Sequence, residues 1–167
     1  MQWRICFMSY CKLVPGQYKQ ISDVRRVINY IADIDKSHWL VGGGNGIINS
    51  EYIHSSPDFI AEQFLVVQEI KRCRGRRLYH AVVSFDTIID EMSIVEIKNI
   101  AEKIIALYSQ YQSVYALHEN TWNPHLHIIF NNISLMNVKN LSYFFNIYDI
   151  KQCTEESIDF YKAKGKH

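Results

Sequence analysis

Two periods alternate along the chain. Val24, Val27, Ile28 and Ile31 recur at i, i+3, i+4 and i+7, the stripe of one helical face, and predict a helix over residues 22–32, with Ser22 at the N-cap and Asp23 in the first turn. The same period predicts helices over 57–70 and 92–111, the second opened by Ser93 and Glu96 as a capping box. Residues 3–10, 79–85, 113–118 and 125–132 are instead short runs rich in β-branched and aromatic side chains, and read as strands. Pro15-Gly16 supplies turn chemistry after the first, and Gly42, Gly43, Gly44 and Gly46 make residues 42–50 a flexible turn that no Gly-Lys-Ser/Thr closes into a P-loop. Asn120, Asn123 and Pro124 lie between the last two strands, which therefore pair as an antiparallel hairpin. Further helices are expected near 138–147 and 154–164. Strands mixed with long helices, and at least one hairpin, predict an α+β fold in which helices flank an antiparallel sheet.

Composition narrows this without changing it. A chain of 167 residues is the length of one domain, able to bury roughly 70% of the surface of its unfolded form, so 1–167 is read as a single unit with 133–167 as a helical C-terminal extension. With 48% hydrophobic and 21% charged residues, neither a disordered nor a membrane chain is expected, and no run of 18 apolar residues occurs. Cys6, Cys11, Cys73 and Cys153 form no C-x-x-C pair and follow no secretory signal, which fits reduced thiols in a cytoplasm. The net charge of +1 means that any case for nucleic acid rests on local clusters. Lys71, Arg72, Arg74, Arg76 and Arg77 form one such cluster, readable either as a solvated loop or as a phosphate-contacting segment.

The hairpin carries the chemistry. Side chains alternate along a strand, so His125 and His127 share one face while Leu126, Ile128 and Phe130 take the other, beneath helices; the histidines are expected to face out. An antiparallel partner brings His118 to the same patch. His-x-His alone is weak, since seven histidines in a chain of this length give roughly 0.3 such pairs by chance. Three neighbouring imidazoles are more specific, because a cation uses ring lone pairs that burial would leave unsatisfied. By affinity such a site suits Zn, Mn, Co or Ni, and an ion there would act as a Lewis acid on a phosphate oxygen. Among eleven tyrosines, Tyr30 has one distinction. At 100° per residue it lies about 110° from the centre of its helix's apolar stripe, on the flank rather than the seam.

The stretch LHENTWNPHLHIIFNN (117–132) resembles the histidine motif of relaxases of the mobilisation-protein (Mob) family, in the HUH endonuclease superfamily. VINYIADIDK (27–36) is similar to that family's tyrosine motif, LYHAVVSFD (78–86) to the strand between the two motifs, and SHWLVGGGN to its Gly-Asn turn. The resemblance implies a palm-like sheet, Tyr30 as nucleophile, and His118, His125 and His127 as ligands of a divalent cation, Mg or Mn in the family. It implies site- and strand-specific nicking and rejoining of single-stranded DNA in plasmid or mobile-element transfer. The partners implied are a transfer origin, accessory mobilisation proteins and a coupling protein, with no membrane insertion. One departure stands out: Asn120, beside Glu119, occupies the place of the family's aspartate, which makes both residues candidates for that role. In rolling-circle initiators and single-strand transposases the tyrosine follows the histidines, which would require Tyr148 or Tyr161. A weakly catalytic DNA-binding relative is the alternative from another class.

Overall fold

The computed structural model describes residues 9–33, 35, 37–44, 56–85, 92–119, 123–134, 136 and 139–164, with only the backbone at 9 and 37–44. Among them the strands are β1 (Ser9–Leu13), β2 (Ser37–Gly44), β3 (Leu78–Phe85), β4 (Tyr111–His118) and β5 (His125–Ser134). The helices are α1 (Ile21–Ile31), α2 (Pro57–Ile70), α3 (Ile94–Ala106) and α4 (Ile147–Lys164). The sheet runs β1-β3-β5-β4-β2 and every pairing is antiparallel. The fold is α+β, as the two periods predict.

Helices cover both faces. Leu126, Ile128 and Phe130 of β5 pack with Ile97, Ile100 and Ile104 of α3 and Ile150 and Ile158 of α4. On the other face Val114, Ala116 and Ile129 pack with Val24, Val27, Ile28 and Ile31 of α1 and Ile60 and Phe64 of α2. The i, i+3, i+4, i+7 stripe of α1 is thus its buried seam. An Arg25–Glu62 ion pair and a hydrogen bond from Asn29 Nδ2 to Asp58 Oδ1 (2.9 Å) tie α1 to α2 outside that seam.

Several boundaries differ from expectation. The helix expected from Ser22 is capped instead by Gln20, whose side chain and that of Asp23 close a reciprocal capping box. Gly42, Gly43 and Gly44 are not a turn but the end of β2, paired with Tyr115, Val114 and Ser113. The helix expected to reach Tyr111 stops at Ala106, and Tyr111 opens β4, because its aromatic ring is buried in the α3/α4 core. Beyond β5 a 3-10 turn (Leu141–Tyr143) stands where a helix near 138–147 is expected, while the helix expected near 154–164 is present and begins seven residues earlier, as α4. The expected strand residues 3–8, the turn residues 45–50 and Asn120 lie outside the described residues.

Candidate active site

The hairpin register sets His118 of β4 opposite His125 of β5, with Ala116 opposite His127. Alternation then puts all three rings on the α1/α2 face, where ring centroids are 5.5 Å apart for His118–His125, 4.3 Å for His118–His127 and 4.8 Å for His125–His127. One ring nitrogen from each lies within 4.8 Å of the others. The expectation that these histidines face out is corrected: His118 and His127 are 1% and 4% exposed, because α1 covers this end of the sheet, and only His125 is half-buried.

Hydrogen bonds decide which nitrogens serve a cation. His118 Nε2 lies 2.8 Å from the carbonyl oxygen of Ile31, the last residue of α1. A carbonyl only accepts, so that nitrogen carries the proton and the lone pair is on Nδ1. His125 Nδ1 donates likewise to the Asn123 carbonyl at 2.9 Å, leaving its lone pair on Nε2. His127 Nδ1 lies 2.7 Å from His80 Nε2, while its Nε2 is buried with no hydrogen-bond partner among the described residues. An orphaned buried imidazole nitrogen is a costly vacancy in ordinary packing and a ready lone pair for a metal. The cluster therefore fits a divalent cation.

Burial and the neighbouring rings hold His127 well below the usual imidazole range, at about 2. His80 is lowered to about 4, by burial first and then by the nearby His118 and Lys12. Both rings stay neutral near pH 7, the state in which imidazole ligates.

Tyr30 projects from α1 against this cluster. Its ring meets those of His118 and His127 edge-on, both at 5.6 Å between centroids, and at 44% exposed it sits on the flank the helical angle predicts. A cleft of about 390 Å³ opens beside it, lined by Lys12, Tyr18, Arg26, Tyr30, His125 and His127. Tyr148 and Tyr161 belong to α4, which packs with α3 on the opposite face of the sheet. Glu119 is half-buried just past the end of β4.

The basic segment lies at the other end of β3, roughly 16 Å along the strand from Val82, which pairs with His127. Lys71, Arg72 and Arg74 are exposed, whereas Arg76 and Arg77 are half-buried. Arg76 donates to the Gly16 carbonyl at 2.8 Å, and Arg77 to the Lys19 carbonyl at 3.0 Å and to Gln68 Oε1 at 2.8 Å. These bonds fasten the β1–α1 loop, one wall of the cleft, to the segment before β3.

His80, Lys12 and Arg26 did not stand out in the sequence. Parity within 79–85 would put His80 on a face with Val82 and Ser84, but nothing local says that β3 neighbours β5.

Comparison with known proteins agrees with this geometry. Over 125 residues, 73% of the chain, the sequence is 34% identical to protein TraI of Escherichia coli, and the chain spans only 16% of that protein's length. Residues 33–161 match the relaxase family described as MobA/VirD2-like, nuclease domain. Matched across most of its length, and carrying the histidine cluster on paired central strands, the chain belongs to the MobA/VirD2-like relaxase nuclease family.

Proposed function

We propose that this protein nicks and rejoins single-stranded DNA at a transfer origin of a plasmid or mobile element, with Tyr30 as the nucleophile. The observation that carries the reading is the packing of the Tyr30 ring against His118 and His127 at the mouth of the cleft. His118, His125 and His127 would hold the cation, Mg or Mn in the family; when bound it polarises a phosphate oxygen and offsets the charge that develops at phosphorus.

The Tyr30 oxygen attacks the scissile phosphorus in line. The bond from phosphorus to the 3′ oxygen breaks, a 3′ hydroxyl leaves, and the 5′ phosphate remains on tyrosine as a diester. Because one phosphodiester replaces another, the reverse attack by a 3′ hydroxyl rejoins the strand without an external energy source. Glu119, one residue past His118, is the carboxylate proposed to accept the phenolic proton in place of the family's aspartate, with Asn120 restricted to hydrogen bonding. The strand would run from Tyr30 along the loop at 14–20, past Lys12 and Arg26, to the cations at 71–77, a path supported by the bonds of Arg76 and Arg77 to that loop. Accessory mobilisation proteins and a coupling protein are its proposed partners.

The test is a denaturation-resistant adduct between the protein and a single-stranded oligonucleotide carrying the cognate origin. Tyr30→Phe abolishes it, while Tyr148→Phe and Tyr161→Phe form it as the wild type does. An adduct that survives Tyr30→Phe and is lost with either α4 tyrosine overturns the assignment.

A further inference from the structure

The three clustered histidines are not secured in the same way. His118 and His125 each donate to a backbone carbonyl, of Ile31 and Asn123, and a carbonyl can do nothing but accept. Their ligating nitrogens are therefore set by the chain itself. His127 leans on a side chain, His80, at 2.7 Å, and a neutral imidazole nitrogen can be donor or acceptor. Two arrangements satisfy that contact. In one, His80 Nε2 donates, His127 carries its proton on Nε2, and a buried N–H is left with no acceptor among the described residues. In the other, His127 donates from Nδ1, His80 accepts, and His127 Nε2 presents a lone pair to the other two rings. Both leave His127 Nε2 without a hydrogen-bond partner among the described residues, but only the second leaves something a cation can use.

We propose that His80 is a positioning residue of the metal centre, which accepts the Nδ1–H of His127 and thereby commits His127 Nε2 to ligation. The inference rests on the metal-binding reading given above. Its geometry comes from the sheet order: β3 lies beside β5, so His80, 47 residues from His127 in sequence, shares the face of the histidine cluster and is itself 4% exposed. The ring contact, 5.0 Å between centroids with the planes inclined at 43°, also limits how far His127 can rotate. Outer-shell partners of this kind typically contribute about 10- to 100-fold in metal affinity.

Two measurements test it, neither needing DNA or activity. Long-range nitrogen–proton correlation spectra of the metal-free wild type near neutral pH should show His127 as the Nδ1–H tautomer. Calorimetric titration with Mn²⁺ should show His80→Phe, which fills the space but cannot accept, weakened by about 10- to 100-fold. His80→Gln, whose side-chain carbonyl reaches the position of Nε2, should keep most of the affinity and the tautomer. An Nε2–H tautomer in the wild type, wild-type affinity in His80→Phe, or loss of the Nδ1–H tautomer in His80→Gln overturns the proposal. If His80→Phe does not fold, the wild-type and His80→Gln spectra still decide. Should the wild type bind no Mn²⁺ at all, the metal reading falls, and the spectra judge the tautomer separately.

Discussion

His80 and His127 are neutral in a setting that penalises their charge, and this has a consequence for stability. With folded values of about 4 and about 2, both lie below the value of about 6.5 that each ring recovers on unfolding. Below that pH the unfolded chain binds protons that the folded one refuses, so stability is complete above about pH 6.5 and is lost as the pH falls. The slope is about 1.4 kcal/mol per pH unit for each histidine that stays neutral. Urea unfolding of the metal-free protein, with chelator, should show this loss between about pH 6.5 and 5, above the range where carboxylates contribute. A stability that stays flat through that window would mean both rings charge within the fold. The same chemistry makes the site legible only in part, since any neutral histidine can ligate and the tautomer of each is chosen by a partner elsewhere in the chain.

At the level of elements, the basic segment between α2 and β3 divides into two groups. Arg76 and Arg77 spend their donors on Gly16, Lys19 and Gln68, and Arg76 also covers the Tyr79 ring at 4.7 Å, whereas Lys71, Arg72 and Arg74 are exposed. Arg77→Ala should therefore destabilise the protein by roughly 1–3 kcal/mol, because it deprives the Lys19 carbonyl and buried Gln68 of a charged donor. Changing Arg72 and Arg74 together to Gln should leave the unfolding midpoint nearly unchanged while weakening binding to single strands and flattening its salt dependence. Equal salt slopes for that variant and the wild type would reduce the exposed cations to a solvated loop. A run of five cations looks uniform in sequence; which of them are engaged depends on the β1–α1 loop packed against them.

For the whole molecule, the histidine cluster is a seam between layers. Its rings come from β4 and β5, His118 also bonds the end of α1, and Tyr30 descends from that helix. A cation held there binds the folded state alone, so Mn²⁺ at about 100 times its dissociation constant should add about 2.7 kcal/mol and raise the midpoint of thermal unfolding by about 5–10 °C. His125→Ala combined with His127→Ala should remove most of that gain. An undiminished shift in the double variant would place the ion elsewhere.

Features that depend on near neighbours along the chain could be read before any fold was known. Helical and strand periods follow from local backbone geometry, so α2, β3 and the β4–β5 hairpin were legible, along with the shared face of His125 and His127 and the flank position of Tyr30. Short motifs in the right order were enough to point to the family. Features that depend on pairings between distant segments emerged with the packed fold. Gly42–Gly44, with no side chains to set a period, became strand because β4 offered them hydrogen bonds. His118 and His127 became buried because α1 docks across their face, and His80 met His127 because β3 lies beside β5. Burial and donor–acceptor roles belong to the packed chain, since each depends on atoms that sequence distance hides.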